Sequence, residues 1–111
     1  MELLQKLHIK PGITFRVVHK PRGLLMPIQK GNLGLAILIF VTDKKELQEA
    51  LRNKKFLSAE YLWIAYKKGA WGKITGLNRD ILSYELAMAG YDSVSIVAID
   101  LTWSALRFKK M

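Results

Sequence analysis

Residues 35 to 41 read LAILIFV, and every position in this stretch is apolar. A strand that carries polar residues on neither face is typical of a parallel sheet covered on both sides. The following stretch, TDKKELQEALRNKKF, predicts a helix, because Asp43 and Glu46 have the spacing of a capping box and apolar residues then recur at helical spacing. A covered strand followed at once by a helix predicts an α/β fold.

The sequence downstream repeats this alternation. Residues 60 to 66 (EYLWIAY) predict a second covered strand, and residues 78 to 89 predict a helix that Asn78 caps and Gly90 ends. SVSIVAI and WSALRF, separated by residues 100 to 102, predict a closing β-hairpin. Together these segments predict one mixed sheet that is mostly parallel, has helices on both faces and ends in an antiparallel hairpin.

The first third of the chain is less regular. Residues 2 to 8 predict a short amphipathic helix, and residues 13 to 18 (ITFRVV) predict the first strand. Residues 19 to 34 contain two prolines and three glycines, so we predict an irregular, partly mobile segment. A length of 111 residues predicts a single domain over residues 1 to 111.

Composition excludes several kinds of chemistry. The chain has no cysteine and only two histidines, His8 and His19, neither of which has a second ligand at metal-binding spacing, so we predict no metal site. The apolar run of seven residues is far shorter than the roughly 18 that a membrane span requires. The first ten residues, MELLQKLHIK, lack the basic-then-apolar order of a secretory signal. These features predict a cytoplasmic protein that does not enter a membrane.

Several segments resemble a small bacterial family of unknown function, namely LLQKLHIKPG, LWIAYKKG, GKITGLNRDIL and VSIVAIDLTWSALRF. The resemblance is strongest over residues 56 to 108 and residues 3 to 18. The layout is similar to the later half of the Rossmann-like methyltransferase fold, whose last strand is antiparallel. The resemblance implies a truncated methyltransferase-like scaffold with a single small Rossmann-like sheet.

Two departures from the family bear on cofactor binding. The segment between the first two strands is shorter here, and Leu101 stands where the family usually has a polar or acidic residue. A methyltransferase also needs a glycine-rich turn after its first strand, whereas VVHKPRG contains only Gly23. We therefore expect that cofactor binding has been lost, and we predict no cofactor and no catalytic residue. The missing strands leave an edge that residues 19 to 34 or a second subunit would cover, which allows a homodimer.

The excess of basic residues raises the question of an anionic partner. Eighteen basic residues against nine acidic ones give a formal charge of +9. Ligands of open α/β sheets bind beyond the carboxyl ends of the strands, and basic residues follow the first and third strands at that end. The helix that begins after Asn78 adds free N–H groups, which favour anions. We name this predicted site the basic rim; its members are His19, Lys20, Arg22, Lys67, Lys68, Trp71, Lys73, Asn78 and Arg79.

The same residues have a simpler interpretation. Lysines on a loop are typical of a solvated face that opposes aggregation, while Asn78 and Asp80 have the positions of residues that only cap a helix. Trp71 is suited either to stacking on a base or to covering the core. Asp100 and Thr102 are typical of a hairpin turn in which the aspartate carboxylate accepts a hydrogen bond from the backbone.

Three functional hypotheses follow from these patterns. The leading one is a non-catalytic domain that binds an anionic small molecule or a protein partner at the basic rim. The alternative is a module for RNA or single-stranded DNA, although the chain has no recognised RNA or DNA motif and its basic residues are spread along the sequence. The third is an enzyme on an anionic substrate, which would require a pocket that joins Asp100, Arg79 and Lys67.

Overall fold

The computed structural model describes residues 2 to 111 and shows one five-stranded sheet within them. The Cα radius of gyration is 13.1 Å, as expected of a compact chain of this length. The strands are β1 (Ile13–Val18), β2 (Gly34–Phe40), β3 (Tyr61–Lys67), β4 (Tyr91–Ala98) and β5 (Trp103–Lys110). The helices are α1 (Leu3–Lys6), α2 (Lys44–Arg52), α3 (Lys54–Leu57), α4 (Gly72–Thr75) and α5 (Arg79–Met88), with a 3₁₀ turn at Gly69–Trp71.

The strand order is β1-β2-β3-β5-β4, which confirms the predicted mixed α/β sheet. β1 pairs with β2 and β2 with β3 in parallel, whereas β5 is antiparallel to both β3 and β4. The prediction of a mostly parallel sheet is therefore wrong, since two of the four pairings are antiparallel. The reason is that β5 inserts between β3 and β4, and thus takes the position beside β3 that a parallel strand would have held.

The two faces of the sheet are covered differently. One face packs against α2, α3 and α5 through apolar residues that include Leu47, Phe56 and Leu82. The other face packs against α1 and the segment between β1 and β2, which contributes Leu24 and Met26. Helices thus lie on both faces, but on the second face the helical cover is a single helix of four residues.

The helix predicted over TDKKELQEALRNKKF is divided at Asn53 into α2 and α3. Asn53 accepts hydrogen bonds from the backbone N–H groups of Lys55, at 3.0 Å, and Phe56. An asparagine in this position competes with the helical backbone and begins a new helix. The predicted start is confirmed, because Asp43 accepts a hydrogen bond from the Glu46 N–H at 2.8 Å.

The irregular segment covers part of the free edge of β1. The Phe15 N–H donates to the Gln29 carbonyl at 2.9 Å, and the Gln29 amide donates to the Ile13 carbonyl at 2.8 Å. The Thr14 hydroxyl donates to the Gly31 carbonyl at 2.7 Å. Residues 29 to 31 therefore provide hydrogen-bond partners for groups at the β1 edge that a second subunit would otherwise have to pair. The homodimer stays a prediction.

No helix within residues 2 to 111 has the length and apolar character that crossing a membrane requires.

Candidate anion-binding surfaces

The structure divides the predicted basic rim into two parts. His19, Lys20 and Arg22 follow β1, and the remaining members follow β3 or begin α5. β2 lies between β1 and β3, so about 10 Å of sheet separates the two parts. The residues that follow β2 include the acids Asp43 and Glu46, which places negative charge at the middle of the rim.

The part of the rim that follows β1 is occupied by its own contacts. His19 Nδ1 lies 3.7 Å from a carboxylate oxygen of Glu46, whose other oxygen accepts hydrogen bonds from the backbone N–H, at 2.7 Å, and the hydroxyl of Thr42. Lys20 donates to the Leu24 carbonyl at 2.9 Å. A cavity of about 210 Å³ beside His19 is lined by Glu46 and Glu49. Two carboxylates disfavour an anion here.

The same cavity brings together His19, Glu46 and Glu49. Across the residues that the structure describes, no three His, Asp or Glu side chains lie close enough to hold a metal ion.

The part of the rim that follows β3 combines a cation with aromatic rings. Lys67 Nζ lies 4.3 Å from the centroid of the Trp71 ring and 5.7 Å from that of Trp103. Trp71 remains 43% exposed, so its ring is accessible to a ligand. The Lys68 N–H donates to the Thr102 carbonyl at 2.9 Å, which fixes this loop to the β4–β5 hairpin. The Lys67 ammonium covers one face of the Trp71 indole, so a base would stack on the other face while the charge attracts its phosphate.

The start of α5 is less open to an anion than the sequence suggests. Asn78 caps the helix by accepting a hydrogen bond from the Ile81 N–H at 2.8 Å, which confirms the predicted cap. Arg79 Nε lies 4.0 Å from a carboxylate oxygen of Asp80, and both side chains are largely exposed. Lys73 lies on α4, a helix of four residues. An anion at this helix would compete with both Asn78 and Asp80.

Tyr66 lies under this part of the rim and was not singled out by its sequence context. Its side chain is 5% exposed, and burial raises the pKa of its phenol above the ordinary value. The positive charge of Arg79 lowers this pKa and the negative charge of Asp80 raises it, each by less than the burial does. The Tyr66 hydroxyl is therefore a neutral group near neutral pH.

Asp100, which the third hypothesis requires, is engaged in the β4–β5 turn. Asp100 accepts hydrogen bonds from the N–H groups of Thr102 at 2.8 Å and Trp103 at 2.7 Å, as expected of a turn carboxylate. Neither the cavity beside His19 nor the cavity lined by Arg107 and Lys109 includes Asp100, Arg79 or Lys67.

A second cationic surface lies at the opposite end of the sheet. We name it the basic basin; it has a volume of about 490 Å³ and is lined by His8, Lys10, Tyr61, Val94, Ser95, Arg107 and Lys109. We did not predict this surface from the sequence, although β5 carries a usable signal. Arg107 and Lys109 alternate with Trp103 and Ala105 on one face of a strand whose other face is also apolar.

The chain matches no protein-family model, no curated protein and no solved structure in comparisons with each. What the two surfaces bind is accordingly inferred from their own geometry and charge. The rim residues that follow β3 provide an exposed ring and cations, whereas the basic basin provides four basic side chains and no carboxylate.

Proposed function

We propose that this chain is a non-catalytic α/β binding domain that takes an anionic ligand at the part of the basic rim that follows β3. The observation that carries the proposal is the position of the Lys67 ammonium over the exposed Trp71 ring. Lys68, Lys73 and Arg79 follow in the same loop and helices and add positive charge. An aromatic ring beside several cations suits a ligand that has both a planar group and a phosphate or carboxylate.

The alternative ligand is RNA or single-stranded DNA, and the exposure of Trp71 favours it. Base stacking on an aromatic side chain is tolerant of sequence, and nearby lysines attract the backbone. The two ligands differ in their response to salt, because a polynucleotide releases counterions when it binds while a mononucleotide held in a pocket depends less steeply on salt.

The test is a titration of the isotopically labelled chain with adenosine monophosphate and, separately, with a hexanucleotide, followed by amide NMR at low and moderate salt. We expect shifts at Lys67, Trp71 and Lys68. Trp71→Ala is expected to weaken binding by about 1–3 kcal/mol for the stacked base. Tyr84→Ala is the matched control, because Tyr84 is 63% exposed on the outer side of α5.

Two results would count against this function. One is that Trp71→Ala and Tyr84→Ala weaken binding equally, since the ring at position 71 would then have no special role. The other is that all shifts are scattered over the lysines and disappear at moderate salt, which would identify the rim as a solvated surface.

We further propose that the scaffold is a degenerate methyltransferase-like sheet. The antiparallel last strand supports this origin. The end of β1, where a methyltransferase needs a glycine-rich turn, holds His19 against Glu46 instead, which supports the loss of the cofactor. Calorimetry with S-adenosylmethionine and a methylation assay on a panel of generic acceptors test both statements. Tight binding of that cofactor or methyl transfer would refute the non-catalytic interpretation.

A further inference from the structure

We propose that the basic basin binds the phosphate group of a small molecule and is separate from the basic rim. The basin lies near the amino ends of the parallel strands, on the sheet face that α1 covers. His8 and Lys10 reach it from the turn after α1, and Arg107 and Lys109 reach it from β5. Two separate segments of the chain thus direct basic side chains to one place.

The charge of the basin is not neutralised from within. Apart from its four basic residues, the lining consists of Tyr61, Val94 and Ser95 and contains no carboxylate. Asp92 lies opposite Lys109 across β4 and β5, but in the part of the chain that the structure describes no ion pair joins the two. This distribution favours an anion and contrasts with the cavity beside His19, where two glutamates are present.

The basin also borders buried donors that lack acceptors. Arg107 Nε is buried and has no hydrogen-bond partner among residues 2 to 111, and the same holds for Trp63 Nε1, which belongs to the residue directly opposite on β3. Buried polar groups in native proteins are nearly always hydrogen-bonded, so two such donors on paired residues require an explanation. Arg107 is the member of this pair that lines the basin, and phosphate oxygens are acceptors that suit its guanidinium.

The orientation of Arg107 is fixed before a ligand arrives. Its Cζ lies 4.8 Å from the centroid of the Tyr61 ring, so one face of the guanidinium is stacked, and because Nε is buried a ligand would contact the Nη groups. The register of β4 against β5 shifts between Ser93 and Ser95, opposite Arg107. Bulges of this kind redirect side chains and recur beside binding sites.

His8 reaches the basin from the turn that ends α1. Its φ is 56°, in the left-handed region that glycine adopts most readily. This conformation ends α1, because the His8 N–H donates to the Gln5 carbonyl at 3.1 Å and the Ile9 N–H to the Leu4 carbonyl at 2.9 Å. The His8 side chain is one of the four basic side chains among the seven residues that line the basin.

The size of the basin favours a small molecule over a nucleic acid. Its volume of about 490 Å³ falls within the range of roughly 300–1,000 Å³ that is usual for ligand pockets. Its cations converge on one concavity and do not form the extended track that follows a polynucleotide backbone. A single phosphate group is the ligand chemistry that this arrangement fits.

The experiment titrates the full chain, labelled at its amides and arginine Nε atoms, with inorganic pyrophosphate at low and moderate salt. We expect saturable shifts of the Arg107 Nε–H and of the Ser95 and Lys109 amides. Lys109→Gln is expected to raise the dissociation constant about tenfold, since it removes a charge-assisted contact. Lys45→Gln, at an exposed position on α2, is the matched control and should leave the constant unchanged.

Three outcomes overturn the proposal. The first is that no NMR signal near Arg107 shifts, and the second is that Lys109→Gln and Lys45→Gln weaken pyrophosphate binding equally. The third is that a hexanucleotide without terminal phosphates binds at these residues whereas pyrophosphate does not. Arg107→Met is the second variant, and urea unfolding establishes that it is folded before its affinity is measured. The result is independent of Trp71→Ala, so failure here is distinguishable from failure of the proposed function.

Discussion

Trp63 and Arg107 lie directly opposite each other on β3 and β5, and each carries a buried N–H donor for which the described residues offer no acceptor. Trp63 is fully buried in the core of the sheet face that α1 covers. Two unsatisfied donors on one cross-strand pair concentrate an unfavourable contribution to folding at a single place.

Replacement of Arg107 by Met should therefore have little effect on stability. The change removes an unsatisfied donor, and this gain offsets the loss of the contact with Tyr61, which is worth about 0.5–1 kcal/mol. We expect the free energy of unfolding in phosphate-free buffer to stay within about 1 kcal/mol of the wild-type value. Urea unfolding followed by tryptophan fluorescence measures it, with the exposed Arg52→Met as control. A loss above about 2 kcal/mol would show that Arg107 is mainly structural.

His8→Gly should stabilise the chain while His8→Ala should not. His8 occupies the left-handed position of the cap that ends α1, where its N–H donates to the Gln5 carbonyl at 3.1 Å and the Ile9 N–H donates to the Leu4 carbonyl at 2.9 Å. Glycine relieves a strain of about 1 kcal/mol there, and alanine retains it. Thermal unfolding of the two variants tests the difference; equal melting temperatures would contradict it.

The raised pKa of Tyr66 predicts a loss of stability in alkali. Below pH 10.0, the ordinary value for the phenol, folded and unfolded chains both keep the proton. Above it the unfolded chain releases the proton first, so the free energy of unfolding falls as the pH rises toward the folded-state pKa. Tyr66→Phe should reduce this fall, and the exposed Tyr84→Phe is the control for loss of a phenol. Urea unfolding between pH 9 and 11 measures the slopes, and identical slopes for wild type and Tyr66→Phe would refute the assignment.

Asn78 should contribute to stability because its side-chain oxygen caps α5, whereas its amide nitrogen should contribute little. Asn78→Asp retains an oxygen that can accept from the Ile81 N–H, whereas Asn78→Ala removes it. We expect a loss of about 1 kcal/mol for alanine and almost none for aspartate. If the aspartate variant instead loses as much as the alanine variant, the amide nitrogen has a role that the cap does not explain. Chemical denaturation of both variants decides between these outcomes.

The layer formed by residues 29 to 31 should control association through β1. A Cβ at Gly31 would collide with the backbone carbonyl of Gly12, so Gly31→Ala is expected to displace this layer and expose the strand edge. The variant should lose stability and elute from a sizing column in a concentration-dependent way. Gly23→Ala is the control, because a Cβ there meets nothing within 4 Å and only the positive φ opposes it. Unchanged elution of Gly31→Ala would show that the layer does not shield the edge.

The elements of the fold were predictable because their signals are local. An apolar run at Leu35 to Val41 and a capping asparagine at Asn78 act within a few residues. The position of β5 is not local, yet one hint was available: Trp103 and Phe108 place an aromatic residue on each face of that strand, as expected of a strand inside a sheet. Because β5 lies between β3 and β4 and runs opposite to both, it necessarily makes two antiparallel pairings.

The candidate sites were less predictable, because they depend on where side chains meet. The rule that ligands lie beyond the carboxyl ends of strands identified the rim. It could not show that the Glu46 carboxylate accepts a hydrogen bond from Thr42 and lies beside His19. The basic basin requires β5 to lie beside β3 and the turn after α1 to lie over both. Neither relationship follows from the spacing of residues along the chain.

The insertion of β5 also determines when the domain can fold during synthesis. Its residues Trp103, Leu106 and Phe108 complete the cores on both faces of the sheet, yet the ribosome makes β5 after all the other strands. Until then β3 lacks its antiparallel neighbour and β4 has no partner in the sheet. The nascent chain therefore exposes apolar strands until β5 emerges from the ribosome, and we expect its folding to depend on protection from aggregation during that interval.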